Sequence, residues 1–143
     1  MMKSFLSRLV SRLDIDSGKT RVGLVTYATN VETGFNLSAH YSVAAVQSAI
    51  SALSYSGGNT DTAAALAHVR RSMLTSAAGD RNNVSNVVVI LTDGRSDDKS
   101  ATQVCTSLFK KPRMSALQKC MVEIATRVVP VFGLAHGIIG ITQ

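Results

Sequence analysis

The period of the apolar positions changes several times along the chain, and each change marks an element. Between residues 5 and 13 they fall at Phe5, Leu6, Leu9, Val10 and Leu13, with Lys3, Arg8 and Arg12 off the stripe. Steps of three and four put those side chains on one face of a helix. Asp14-Ile15-Asp16-Ser17-Gly18 then ends the helix and turns the chain. Residues 21–28 (Arg-Val-Gly-Leu-Val-Thr-Tyr-Ala) predict a strong strand. After a turn at Thr29-Asn30, residues 31–37 predict a shorter, more polar strand on an antiparallel edge. Ser42 is placed to cap a helix carrying Val43, Val46, Ile50 and Leu53 on one face.

A loop dense in glycine and hydroxyls follows at residues 55–62 and opens into a helix with Leu66, Val69 and Met73 inward, ending near Gly79. Next comes the run around which the chain is organised, Val87-Val88-Val89-Ile90-Leu91, closed by Thr92-Asp93-Gly94. Five consecutive apolar residues do not alternate as a half-wet strand must. They predict a strand buried on both faces, as in the centre of a parallel sheet. Beyond Asp93, Ala101, Val104 and Leu108 fall in helical register until Lys110-Lys111-Pro112 interrupts, because proline cannot continue a helix interior. Leu117, Met121 and Ile124 predict a further helix, and residues 128–134 a last strand with Pro130 near its start or on an edge. Strands alternating with helices make this an α/β domain, doubly wound, with a mostly parallel sheet flanked by helices on both faces.

The 143 residues fit one domain with a real core. No apolar run approaches the ~20 residues of a membrane-spanning helix. The N-terminus begins like a signal peptide, but Arg8 and Arg12 break its apolar region and no small-residue cleavage site follows. The net charge of +6 raises nucleic acid as a partner. Basic residues are mostly single, however, and the clusters Arg70-Arg71 and Lys110-Lys111-Pro112-Arg113 lack aromatic neighbours, so a solvated basic face is the better reading. Cys105 and Cys120 fit either a disulfide or two free thiols. His40, His68 and His136 stand in no metal-ligand or triad spacing and read as surface or hydrogen-bonded residues. Two glycosylation sequons, Asn36-Leu37-Ser38 and Asn83-Val84-Ser85, matter only in a secreted chain.

Candidate chemistry gathers where strands leave the sheet, since ligands of open α/β sheets bind outside the strands' carboxyl ends. Asp93 stands there, although an Asp-Gly pair also opens ordinary turns. Thr60 opens the helix after the glycine-rich loop, and its residue-level alternative is an N-cap.

Three segments taken together resemble the von Willebrand factor type A domain, in particular the extracellular branch found in matrilins and collagen-associated proteins: R-V-G-L-V-T-Y-A from Arg21, G-G-N-T-D-T-A-A-A-L from Gly57 and V-V-V-I-L-T-D-G from Val87. The likeness runs from about residue 5 to residue 134. It implies a metal-ion-dependent adhesion site, usually holding magnesium, with Thr60 and Asp93 as ligands. Magnesium takes hard oxygen ligands and keeps waters that a partner carboxylate can displace. The family's D-x-S-x-S motif after its first strand is absent. Asp14-x-Asp16-Ser17 looks like it but follows the first helix, as a turn would. Asp61, Asp97 and Asp98 could add charge near the site, or cap helices.

The resemblance therefore implies a partial domain spanning residues 1–143, apparently truncated at both ends, without the family's first strand. That strand's place lies between the Val22 and Val87 strands, where its loss leaves an unpaired seam. It also implies a degenerate site that binds Mg2+ weakly or not at all. The expected function is a protein-binding adhesion or matrix module, extracellular as part of a larger protein, with a matrix or cell-surface partner such as collagen and no nucleic acid. The alternative is an intracellular scaffold of the same fold. An enzyme on a dinucleotide-type sheet fits less well, since neither G-x-G-x-x-G nor G-x-S-x-G occurs.

Overall fold

The computed structural model describes residues 2–54, 60–91, 98–101, 103, 120–125 and 136–142. In chain order these form α1 (Met2–Val10), β1 (Arg21–Tyr27), β2 (Val31–Phe35), α2 (Val43–Ala52), α3 (Thr62–His68), β3 (Asn86–Leu91), β4 (Cys120–Ala125) and β5 (His136–Thr142). A π-helical turn, Val69–Met73, extends α3, and a short 3-10 turn, Ser76–Ala78, follows it.

The strands form one sheet in the order β2-β1-β5-β3-β4. β1, β3 and β4 run in the same direction; β2 and β5 run against them. Alternation along each strand sends side chains to two separate cores. Val22 and Leu24 of β1, with Leu91 of β3, pack against Leu6 and Val10 of α1 and Val46 and Ile50 of α2. Val25 and Tyr27, with Val88 and Ile90, pack against Leu66, Val69 and Met73. Both faces of β3 are thus covered, which is why its run is continuously apolar instead of alternating. The doubly wound α/β architecture is as the periodicity implied.

Local chemistry sets the element ends. Ser42 caps α2, its hydroxyl accepting from the Ala45 N–H at 3.2 Å. For α3 the cap is Asp61, which accepts from the Ala64 N–H at 2.9 Å, so the residue-level alternative of a Thr60 cap is not realised. Gly79 ends the segment after α3 at φ +96, a left-handed conformation that favours glycine. Its carbonyl accepts from Arg21, while the Ala78 carbonyl accepts from the Ser38 N–H, joining this corner to β1 and to the loop after β2.

Four expectations are revised. Phe5 is 39% exposed, and the buried stripe of α1 is Leu6 and Val10, with Met2, Leu9 and Leu13 partly covered. Residues 120–125, expected to be helical, form β4, which pairs parallel with β3 from Asn86↔Cys120 to Leu91↔Ala125. Met121 and Ile124 are spaced for a helix, yet a short apolar run fits a buried strand equally well, and pairing beside β3 decides. The seam expected to be empty is filled: β5 lies between β1 and β3, antiparallel to both, with Ile139 opposite Leu24 on one side and Val89 on the other. Finally, the sheet is mixed rather than mostly parallel: among the described strands only β3 and β4 pair parallel, because β5 separates β1 from β3 and runs against both. Residues 128–134, where a strand was expected, lie outside the described residues, as does most of the helix expected after Asp93.

Candidate functional site

The strand directions define the sheet edge that matters. β1 ends at Tyr27, opposite His136, and β3 ends at Leu91, opposite both Gly137 and Ala125, so the carboxyl ends of β1, β3 and β4 stand level. The chain segment bearing Thr60 is tied to that edge: the Asp61 N–H donates to the Ala28 carbonyl, one residue past β1, at 3.4 Å. Thr60 is half-buried there. Its carbonyl accepts from the Thr62 N–H as α3 begins. Asp93, the second expected ligand, lies outside the described residues, as do Gly57, Gly58 and Asp97; it follows the last residue of β3 by two positions.

The other acidic residues have local duties. Asp61 caps α3, and Asp98 accepts from the Ala101 N–H at 2.8 Å, as a helix cap does. Asp14 and Asp16, the lookalike of D-x-S-x-S, stand before β1, at the opposite edge. Asp16 accepts from the Val43 N–H at the start of α2 (3.2 Å), and Asp14 pairs with Lys19 at 3.2 Å. A hydrogen bond from Ser17, then one from Lys19, holds the Asp14 carboxyl below the usual carboxylate range. The turn reading of that segment is the one the structure supports.

Fit to a divalent cation can be judged from these donors. A hard cation takes six or more oxygens, carboxylates prominent among them. Beside Thr60 the described residues offer the Asp61 carboxylate, which is committed to its cap, and no group of three or more His, Cys, Asp or Glu among the described residues is placed to hold a metal. The described part of the edge does not by itself fit a complete magnesium shell.

The histidines behave as satisfied residues where they are described. His68 Nε2 lies 2.7 Å from the Thr33 hydroxyl, clipping α3 to β2, and His40 meets the Phe35 ring edge-on at 5.1 Å. Cys120 lies in β4, whereas Cys105 falls outside the described residues, so their pairing does too. Both sequon asparagines, Asn36 and Asn83, are exposed. No helix among the described residues is long and apolar enough to cross a membrane.

A doubly wound sheet whose carboxyl edge carries Thr60 can be set beside known proteins. The family model of the von Willebrand factor type A domain matches residues 1–118. The chain belongs to that family. Among similar proteins, the type A domain-containing protein 2 of Xenopus laevis is 36% identical over 100 residues, 70% of this chain and 13% of that protein. The collagen alpha-4(VI) chain of Mus musculus is 40% identical over 100 residues, covering 68% and 4% respectively. Integrin alpha-2 of Bos taurus is 38% identical over 100 residues, covering 69% and 8%. This type A domain therefore spans a small part of the length of these relatives. Among solved structures, proximal thread matrix protein 1 from the mussel byssus superposes with a TM-score of 0.73 over 86% of this chain and 31% of that one, at 23% identity. That likeness supports the fold. A form of the same mussel protein is described with a zinc-occupied metal-ion-dependent adhesion site (TM-score 0.69, 21% identity, covering 86% of this chain and 32% of that one).

Proposed function

We propose that this chain is a protein-binding adhesion or extracellular-matrix module, a single partial type A domain over residues 1–143, working outside the cell as part of a longer protein. One observation carries the reading: the relatives that match it at 36–40% identity include collagen chains and an integrin. In this reading the chain is not an enzyme, and its partner is a matrix or cell-surface protein such as collagen.

The partner docks on the carboxyl edge of the sheet. Thr60 reaches that edge through the hydrogen bond between Asp61 and Ala28, and Asp93 follows β3 by two residues, which supports placing both in one shallow site. The site is degenerate. Thr60 supplies a hydroxyl and Asp93 a carboxylate, which orient a partner's polar groups; one carboxylate and one hydroxyl are too few to hold magnesium tightly. In an intact domain the magnesium ion would supply a positive charge for a partner carboxylate. Here contacts from the loops themselves have to carry affinity.

Binding to immobilised fibrillar collagen, with albumin and the heat-unfolded chain as controls, tests this proposal. Saturable binding by the folded chain alone supports it. Equal signals on collagen and albumin, or none on collagen, reject it.

A further inference from the structure

At the edge of the sheet opposite Thr60 lies a cleft of about 620 Å³ lined by Arg12, Leu13, Asp14, Lys19, Thr20, Arg81 and Val84. Its volume falls within the ~300–1,000 Å³ typical of small-molecule sites and leaves room for more than one charged group. Three cations face one carboxylate, so the cleft is basic beyond the general charge of the chain.

The three cations differ in how they are held. Arg81 is fixed, its guanidinium donating to the carbonyls of Gly18 (3.1 Å) and Lys19, and Gly18 adopts φ +76 in the turn that offers them. It supplies a positive floor in a set position. Lys19 is paired with Asp14, but their side chains are 78% and 51% exposed, and such a pair is weak and opens readily. The Arg12 side chain is exposed and makes no hydrogen bond or ion pair among the described residues; only its backbone N–H is bonded, to the Leu9 carbonyl. Two exposed cations beside one held by backbone carbonyls suit an anion with several oxyanion groups. Arginine and lysine bind such groups through charge-assisted hydrogen bonds. Among the described residues no aromatic side chain lines the cleft, so they offer none of the base stacking that single-stranded nucleic acid uses.

We propose that this cleft is a second binding site, specific for a sulfated saccharide of the matrix, whose sulfate esters meet Arg12 and Lys19 above Arg81. The choice of sulfate over phosphate rests on the extracellular reading given above; the basic cleft itself does not.

The test is binding of the intact chain to an immobilised heparin-type hexasaccharide, with its desulfated form, inorganic sulfate and inorganic phosphate as competitors, and a single-stranded oligonucleotide as comparison arms. Arg12→Gln/Lys19→Gln should lower affinity about tenfold and flatten the salt dependence, as loss of two exposed charge-assisted contacts does. The charge-matched control Arg70→Gln/Arg71→Gln, which leaves the cleft lining intact, should change it less than about twofold. Lys19→Gln alone gives a partial loss and serves if the double variant melts early. Equal losses in both pairs, no hexasaccharide binding, or equal binding to the desulfated sugar or the oligonucleotide would overturn the proposal. Phosphate competing as well as inorganic sulfate would overturn the choice of sulfate. Collagen binding by the Arg12/Lys19 variant reports separately on the adhesion function, so the two readings fail independently.

Discussion

Removing residues 136–143 should unfold this domain, although they contribute no residue to the candidate adhesion site. β5 is flanked on both sides: all seven of its residues are opposite β1, and six are opposite β3. Antiparallel neighbours make about one ladder hydrogen bond per paired residue, so about a dozen bonds are at stake. At a net ~1 kcal/mol each they amount to about 10 kcal/mol, comparable to the entire stability of an ordinary domain, ~5–15 kcal/mol. If β1 and β3 closed up and paired directly, they would recover about half of that, in a parallel ladder that is slightly weaker per residue. Closure would also move α1 and α2 relative to α3, since Leu24 and Leu91 pack on one side of the sheet and Val25 and Ile90 on the other. The assay is urea unfolding followed by far-UV circular dichroism, with hydrogen exchange at the β1 and β3 amides. A milder variant, Ile139→Pro, removes one donor between Leu24 and Val89 and should cost at least ~2 kcal/mol, lowering the melting temperature by about 5 °C or more. A shortened chain that melts with the full one, with β1 and β3 amides equally protected, would refute the placement of β5.

Three further outcomes follow from local geometry. Gly79→Ala should destabilise by about 2 kcal/mol or more in thermal melts, because the added Cβ would lie 2.6 Å from the Ser38 nitrogen at a residue with φ +96. Ser42→Ala should cost ~1 kcal/mol through loss of the α2 cap, with Ser42→Gly milder, both read from urea midpoints. Asp14 should titrate below a reference aspartate in an NMR pH series, and Ser17→Ala should raise it more than Lys19→Gln. Because its folded pKa is depressed, the stabilising contribution is present above the unfolded value near ~3.9 and disappears as pH falls through the folded one, so any effect on melting is confined to the acid end.

The elements that could be read from residues alone are those whose periodicity is local. Val22, Leu24 and Val25 announce β1, the Ser42 cap announces α2, and the unbroken run at Val87 announces a strand covered on both faces. β4 was legible as an apolar segment but not as a strand, because Met121 and Ile124 satisfy a helical spacing and only pairing with Val87 and Ile90 distinguishes the two. β5 was not legible: His136-Gly137-Ile138-Ile139-Gly140-Ile141-Thr142 contains two glycines that weaken a strand pattern, and its place between β1 and β3 is a long-range choice no local period encodes. At the candidate site, Thr60 could be assigned to an edge loop, while the choice between Thr60 and Asp61 as the α3 cap turned on geometry one residue apart. Asp93 as a ligand came from the family motif, not from periodicity. The basic cleft was hidden because Arg12, Lys19 and Arg81 are scattered in sequence and meet only where the turn before β1 folds beside the turn before β3.

Whether this type A domain holds a matrix protein without a complete metal site is tested most directly by one comparison: collagen binding by the purified chain in magnesium and in excess chelator. The proposed degenerate site predicts saturable binding with dissociation constants equal within about twofold in the two buffers, as expected when no ion bridges the partners. Tight binding in magnesium that the chelator abolishes, and that Asp93→Ala abolishes as well, would contradict it and show that the loops at the carboxyl edge build a working metal site.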